Sequence, residues 1–269
     1  QHIMYKFYQP RRPNDVYLFP MWKEKLEQTG QVQFLMNTEV KRLILDKNKK
    51  NKINIRGVNA ITSGGHQDIL GKEVILAIPP ENISKLVTRW GNYDLTQFSK
   101  NSLYTTYIPV TFHWDKKLKL PVIWGFPSTS WGVLSLLSSD YTTFDDPRSE
   151  TLLSCCASIT NVKSSKTGKT ADETVNKDEV VAEIFRQISE VYGGLPKPTV
   201  SILSPGVYRQ NSQWRTFDSA FVLTPQGGYL PKFTHPDIKG LHMVGTHVGK
   251  SYYHFTAMES AVTNTMEFF

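Results

Sequence analysis

The chain is short of cysteine, of glycine-rich turns, of metal-ligand spacings and of long apolar runs, and each shortage removes a class of function. Cys155 and Cys156 are its only cysteines and stand side by side in the apolar run 152–159. Neighbours on a strand face opposite ways, so they do not bridge each other. They read as small core residues of a reducing compartment, which argues against a disulfide-built secreted fold. No stretch approaches the roughly 20 apolar residues that cross a bilayer, and no signal-peptide pattern is present. A soluble protein is expected. His235, His242, His247 and His254 cluster near the C-terminus, but no H-E-x-x-H and no completing cysteine or carboxylate pair accompanies them, so they read as polar loop residues. Asp145-Asp146 precedes Pro147 as a turn rather than an acid/base pair. There is no G-x-S-x-G elbow. There is also no G-x-G-x-x-G, since Gly64-Gly65 and Gly227-Gly228 are isolated pairs.

What is present is enough for one large or two modest domains, at 269 residues with a net charge of +7. Much of the charge sits in two tracts, 47–52 and 163–169, which mix lysine with asparagine, serine and threonine. No aromatic residues interleave with the lysines. The tracts read as solvated loops, and nucleic acid is an unlikely partner.

Residues 21–29 predict a short helix ended by Gly30. Residues 32–36 and 40–46 read as strands, and the turn 47–52 leads into a hairpin partner at Ile53, with a further strand over 58–62. Residues 73–80 end in two prolines and read as a short strand covered on both faces. Four strand-like runs follow, at 107–114, 122–126, 133–137 and 152–159, spaced as in an antiparallel sheet. The clearest helix is 178–192, with Val180, Val181, Ile184, Ile188 and Val191 on one face and Gly193-Gly194 at its end. A strand over 199–203 follows it.

The tail carries the strongest functional signal. An apolar strand over 241–244 runs into Gly245-Thr246, a polar loop, and a helix opening near Ala257, Met258 and Glu259. A strand feeding a glycine turn and a helix N-terminus turns main-chain N–H groups toward an anionic or carbonyl-rich ligand.

This tail resembles the C-terminal signature of the flavin-containing amine oxidase and desaturase superfamily, where a strand ending in Gly-Asp or Gly-Thr precedes Met-Glu-Gly-Ala. Two further segments match in order. Asn37-Thr38-Glu39-Val40 is similar to the family's adenine-contacting strand, and residues 74–80 to its VILAIPP strand. Trp214 and Pro225-Gln226-Gly227-Gly228 stand where family members place a tryptophan and a Pro/Gly loop before the tail.

The resemblance implies an α/β (α+β mixed) fold. In it, part of an FAD-binding Rossmann-like domain (1–90 and 204–269) is interrupted by a substrate domain (91–203) with a mostly antiparallel sheet and helices. It implies FAD as cofactor, with Val40, Trp214, Gly245, Thr246, Ala257 and Met258 as binding positions and Glu259 as a first-turn stabiliser. The missing phosphate turn and the start at Gln1 suggest a fragment, with the pyrophosphate-binding unit lying upstream or on a separate N-terminal polypeptide that completes the FAD site. A small amine or apolar molecule is the implied substrate.

Three departures from the family favour a second expectation, a catalytically inactive scaffold or assembly subunit that keeps the fold. The phosphate glycines are missing. Residues 104–109 lack the lysine that amine oxidases often carry there. Thr224 and Ala257 occupy the positions of the family's aromatic pair, unless Tyr252, Tyr253 or Phe255 supplies a ring. No residue presents itself as a general base.

Overall fold

The computed structural model describes residues 11–121, 128–217, 220–223, 231–249 and 258–269. Along the chain run α1 (Leu18–Gln28), β1 (Glu39–Lys47), β2 (Ile53–Thr62), β3 (Gly65–Leu70), β4 (Val74–Leu76), α2 (Pro80–Leu86), β5 (Arg89–Trp90), β6 (Tyr93–Asp94), α3 (Leu95–Asn101) and β7 (Leu103–Thr105). There follow β8 (Ile108–Trp114), β9 (Val133–Leu137), β10 (Thr151–Ala157), α4 (Lys177–Val191), β11 (Val200–Leu203), β12 (Val207–Gln210), β13 (Gln213–Thr216) and β14 (Ala220–Leu223). The last elements are β15 (Ile238–Lys239), β16 (Leu241–Met243) and α5 (Met258–Phe268). This is the mixed α/β class expected, with mostly antiparallel pairing.

The chain divides into two units, the described parts of 1–33 with 106–220 and of 34–105 with 221–269. These units differ in extent from the domains expected at 1–90 with 204–269 and at 91–203, and the described residues before 34 go with the antiparallel unit. Residues 91–105 belong with the tail because Trp90 and Leu95 are buried in the same core as Leu241 and Met243. Residues 204–217 belong with the antiparallel unit, because Val207 and Trp214 are buried in its core.

The antiparallel unit is a four-stranded sheet in the order β11-β8-β10-β9. Alternation in β8 turns Ile108, Val110, Phe112 and Trp114 into the core, none more than 1% exposed. From α4, the fully buried Val180, Ile184 and Ile188 join the same core, each contributing about 1.5–3 kcal/mol by burial. Asn176 caps α4 by accepting from the Asp178 N–H at 2.8 Å. Buried Glu183 accepts from three residues: Ser164 Oγ at 2.5 Å, Arg186 Nη2 at 2.7 Å and Nε at 2.8 Å, and Gln187 Nε2 at 2.9 Å. The Ser164 bond fastens the basic tract 163–169 to α4, while most of the lysines around it stay exposed.

In the second unit, β1 and β2 form the expected hairpin, and β3 and β15 also pair with β2. The strand expected over 58–62 is the second half of β2 rather than a separate element. The kink between the halves is at Gly57, whose φ is +146° and whose pro-chiral position lies against the Ile69 carbonyl, where a Cβ would sit 2.1 Å away. The strand expected over 32–36 does not form. Gly30 and Asn37 bracket it with left-handed backbone at φ +68° and +52°, and no neighbouring strand pairs with it among the described residues. The run 73–80 yields only the three-residue β4, because Pro79 and Pro80 become the cap and first turn of α2. The run 122–126 lies outside the described residues.

Cys155 is buried and Cys156 half-buried on opposite faces of β10, both as free thiols. Burial raises both thiols, Cys156 to about 12. Native protein at pH 8 is thus expected to leave a thiol-reactive disulfide reagent unconsumed, with both thiols reacting once denaturant is added. Rapid labelling of folded protein would contradict this.

Candidate functional site

The site grows from the pairing of two short parallel strands. β16 aligns with β4, Leu241 opposite Val74 and Met243 opposite Leu76. The Val74 N–H donates to Gly240 O at 2.8 Å and the Val244 N–H to Leu76 O at 3.1 Å. Leu241 and Met243 are fully buried, so the strand end is held from inside the core. The chain then turns at Gly245, where φ is +138° and a Cβ would meet the His247 ring at 2.9 Å. Only glycine makes this turn without displacing that ring.

Helix α5 is tied to the turn by one buried bond, Asn264 Nδ2 donating to Gly245 O at 2.9 Å. Asn264 is fully buried, yet its Oδ1 has no protein partner, and neither does the Oγ of Ser260, which is 2% exposed. The two side chains are four residues apart and so share one face of α5. Each unsatisfied buried polar atom costs about 1–3 kcal/mol, and a bound molecule carrying hydroxyl or N–H donors removes that cost. The residues present fit a polar cofactor at this turn.

Across the same unit, Val40 and Ile78 line one cleft of about 810 Å³. The β1–β2 register slips between Val40 and Arg42. A bulge of this kind leaves main-chain groups outside the ladder, as main-chain recognition of a ligand requires. Gly245 and Thr246 are half-buried, and Met258 opens α5 with its side chain exposed. The described residues Val40, Gly245, Thr246 and Met258 thus belong to one unit. Ala257, Thr224, Pro225-Gln226-Gly227-Gly228, Tyr252, Tyr253, Phe255 and His254 lie outside the described residues.

Trp214 belongs to the antiparallel unit. Its indole N–H donates to the carbonyls of Ala171 at 2.8 Å and Thr174 at 3.2 Å, and the Arg209 guanidinium lies 5.1 Å from the ring centre. Its work there is packing and anchoring.

The described histidines of the tail are structural. His235 Nδ1 accepts from the N–H groups of Asp237 and Ile238 at 3.0 and 3.1 Å, so its Nε2 carries the proton and donates to Arg89 O at 3.0 Å. His242 Nε2 lies 2.6 Å from Glu73 Oε2. Among the described residues no group of three or more His, Cys, Asp or Glu could hold a metal, and no helix is long and apolar enough to cross a membrane. Sequence reasoning missed Ser260 and Asn264. Their i, i+4 spacing on a helix facing its own strand was the available signal.

A parallel strand ending in an obligate glycine turn, followed by a helix with unsatisfied buried polar atoms, belongs to the α/β proteins that hold nucleotide cofactors. The flavin containing amine oxidoreductase family matches residues 21–264, and the chain belongs to that family. Among solved structures it is similar to a putative protoporphyrinogen oxidase from Exiguobacterium sp. 255-15, at 13% identity and TM-score 0.47 over 86% of this chain and 45% of that one. It is also similar to wild-type putrescine oxidase bound to putrescine, at 15% identity and TM-score 0.49 over 90% of this chain and 49% of that one. The chain therefore spans about half the length of the solved structures it matches. No curated protein matches it.

Burial lowers the His247 imidazole to about 4, from 6.5. Between those values the unfolded chain binds a proton that the folded chain does not. This contribution to stability is complete above pH 6.5 and is lost as pH falls toward 4, on the order of 3 kcal/mol in all. Denaturant titrations from pH 7.5 to 4.5 are expected to show that decline in wild type and a flatter profile in His247→Gln. Parallel profiles in the two proteins would refute the assignment.

Proposed function

We propose that this chain is the flavin-facing part of an FAD-dependent oxidoreductase acting on a small amine or apolar molecule. The observation that carries the reading is the β16–Gly245–α5 arrangement beside β4, with Ser260 Oγ and Asn264 Oδ1 buried and unsatisfied at the turn. When bound, the flavin supplies a two-electron acceptor for a hydride equivalent from a C–N or C–C bond.

The chain's own residues bind and orient. The first-turn N–H groups of α5, starting at Met258, favour negative charge at the edge of a ring placed there, and the family resemblance adds Ala257 to them. Gly245 lets main chain approach closely, and Thr246 adds a hydroxyl beside the ribityl and phosphate region. Val40 offers main chain to an adenine. Glu259 steadies the first helical turn. No residue of this chain is assigned as general base. A neutral amine needs none, since its nitrogen lone pair assists departure of the hydride equivalent.

No G-x-G-x-x-G stands in the sequence, so the reading leaves the pyrophosphate site to residues outside it, either upstream or on another polypeptide.

The second reading, an inactive scaffold, is favoured by the lysine missing from 104–109. Incubation with FAD followed by desalting separates the two. The enzyme reading expects retained flavin absorbance, lost at least tenfold in Gly245→Val. A folded chain that stays colourless with FAD in large excess supports the scaffold.

A further inference from the structure

The two lysine-rich tracts differ once folded. Residues 163–169 are tied to α4 through Ser164, whereas 47–52 form the tip of the β1–β2 hairpin. That tip is a closed turn. Asn48 Oδ1 accepts from the N–H groups of Lys50 and Lys52 at 2.9 and 3.0 Å. The Asn48 N–H donates to Lys52 O at 3.0 Å, and the Asn51 N–H to Asn48 O at 2.9 Å. Asn51 takes the left-handed backbone of the turn, with φ +57°. The turn holds its own main chain, and Lys47, Lys49, Lys50 and Lys52 stand exposed around it.

Strand pairing carries this charge onto one face of the sheet. Ile53 and Ile55 of β2 join the core, so alternation turns Asn54 and Arg56 the other way. Asn54 lies between Asp46 of β1 and Lys239 of β15. The Gly71 N–H donates to Arg56 O at 2.9 Å, which brings Lys72 to the same place. Arg56, Lys72 and Lys239 line one groove of about 540 Å³, with Leu70 as an apolar wall. Seven cations at this end of the unit thus face three carboxylates, Asp46, Glu73 and Asp237, and Glu73 is held by His242 Nε2 at 2.6 Å.

The neighbours of the cations decide the kind of anion. Surfaces for single-stranded nucleic acid set stacking aromatics among the charges. Here the exposed neighbours are aliphatic, Leu45 at 46% and Leu70 at 72%. Clustered lysine and arginine with apolar side chains between them suit an anionic lipid surface. The cations meet headgroup phosphates, and the leucines enter the boundary between headgroup and acyl chain. A small free anion meets only the groove, whereas a bilayer meets the groove and the tip together.

We infer that the β1–β2 tip and the groove beside it dock this chain on an anionic phospholipid surface, with a headgroup phosphoryl seated among Arg56, Lys72 and Lys239. The inference goes beyond the proposed function and does not rest on it, because none of these residues is assigned to the flavin.

The test uses the full chain and sedimentation with vesicles at about 0.1 M salt, where charges act over about 10 Å. Vesicles containing about one-third phosphatidylserine are expected to bind at least tenfold more tightly than vesicles of phosphatidylcholine alone, and about 1 M salt should release the chain. Each cation contributes roughly fivefold. The pair Lys49→Glu and Lys50→Glu should therefore weaken binding at least tenfold, as should the pair Arg56→Glu and Lys239→Glu. All four side chains are exposed, so wild-type melting curves are expected. If the groove pair melts early, the tip pair decides. The pair Lys163→Glu and Lys166→Glu makes the same change in net charge away from the hairpin and should bind as wild type does.

Failure to sediment with anionic vesicles, equal binding to neutral ones, or an equal loss in the Lys163 and Lys166 pair overturns the inference. So does tighter binding to DNA than to vesicles, or release from vesicles by dilute inorganic pyrophosphate, which would make the groove a site for free phosphate. A chain that binds vesicles and retains no FAD upholds the inference and removes the flavin reading. A chain that retains FAD and ignores the vesicles does the reverse.

Discussion

The arrangement of the cofactor-side unit depends on the parallel pairing of β4 with β16. The main-chain bonds of this ladder and two fully buried side chains, Leu241 and Met243, hold segments more than 160 residues apart in sequence. Everything assigned to the tail follows from that registration. It sets where Gly245 turns, where the Gly245 carbonyl meets Asn264, and where α5 begins. The two strands are too short to be stable as an isolated sheet. They persist because Trp90, Ile83 and Leu95 pack into the same core, and because one edge of β16 is already bonded to residues 233–235.

Interactions that would be expensive alone are concentrated around this pairing. His247 is buried and neutral, Gly245 is held at positive φ, and two polar atoms of α5 lack partners. In the antiparallel unit, buried Glu183 is satisfied by Ser164, Arg186 and Gln187, and the Trp214 indole by two carbonyls, while Asn14 Oδ1 and Trp131 Nε1 are buried without a partner. Ser260 Oγ and Asn264 Oδ1 differ from those two in sharing one face of one helix.

Much of this was legible in the sequence. The apolar face of α4 follows from helical periodicity. The alternation of β8 follows from a period of two, and the placement of Cys155 and Cys156 from adjacency on a strand. The tail was legible because a strand, a glycine and a helix start lie within thirty residues. The parts that were not legible depend on distant partners. Residues 32–36 have strand composition but no strand beside them, and composition cannot supply one. The extents of the compact units were not legible because Trp90, Leu95 and Trp214 choose their cores by three-dimensional packing rather than by position in the chain. Helix α3 escaped notice because its start signal is a single aspartate, Asp94, accepting from the N–H groups of Thr96 and Gln97. At the proposed site, Val40 is expected from the family resemblance and Gly245 from the strand–glycine–helix pattern, whereas Ser260 and Asn264 stand out only because a face of α5 meets the Gly245 turn.

The account stands or falls on whether the turn at Gly245 and the start of α5 hold a flavin. The most direct measurement is a titration of isotopically labelled chain with FAD, followed by the amide resonances of Gly245, Thr246, Ala257 and Met258. Saturable shifts at these four positions, with the lysine tracts 47–52 and 163–169 unmoved, are the predicted result. Shifts confined to the lysine tracts, or no shifts at any FAD concentration, would contradict it.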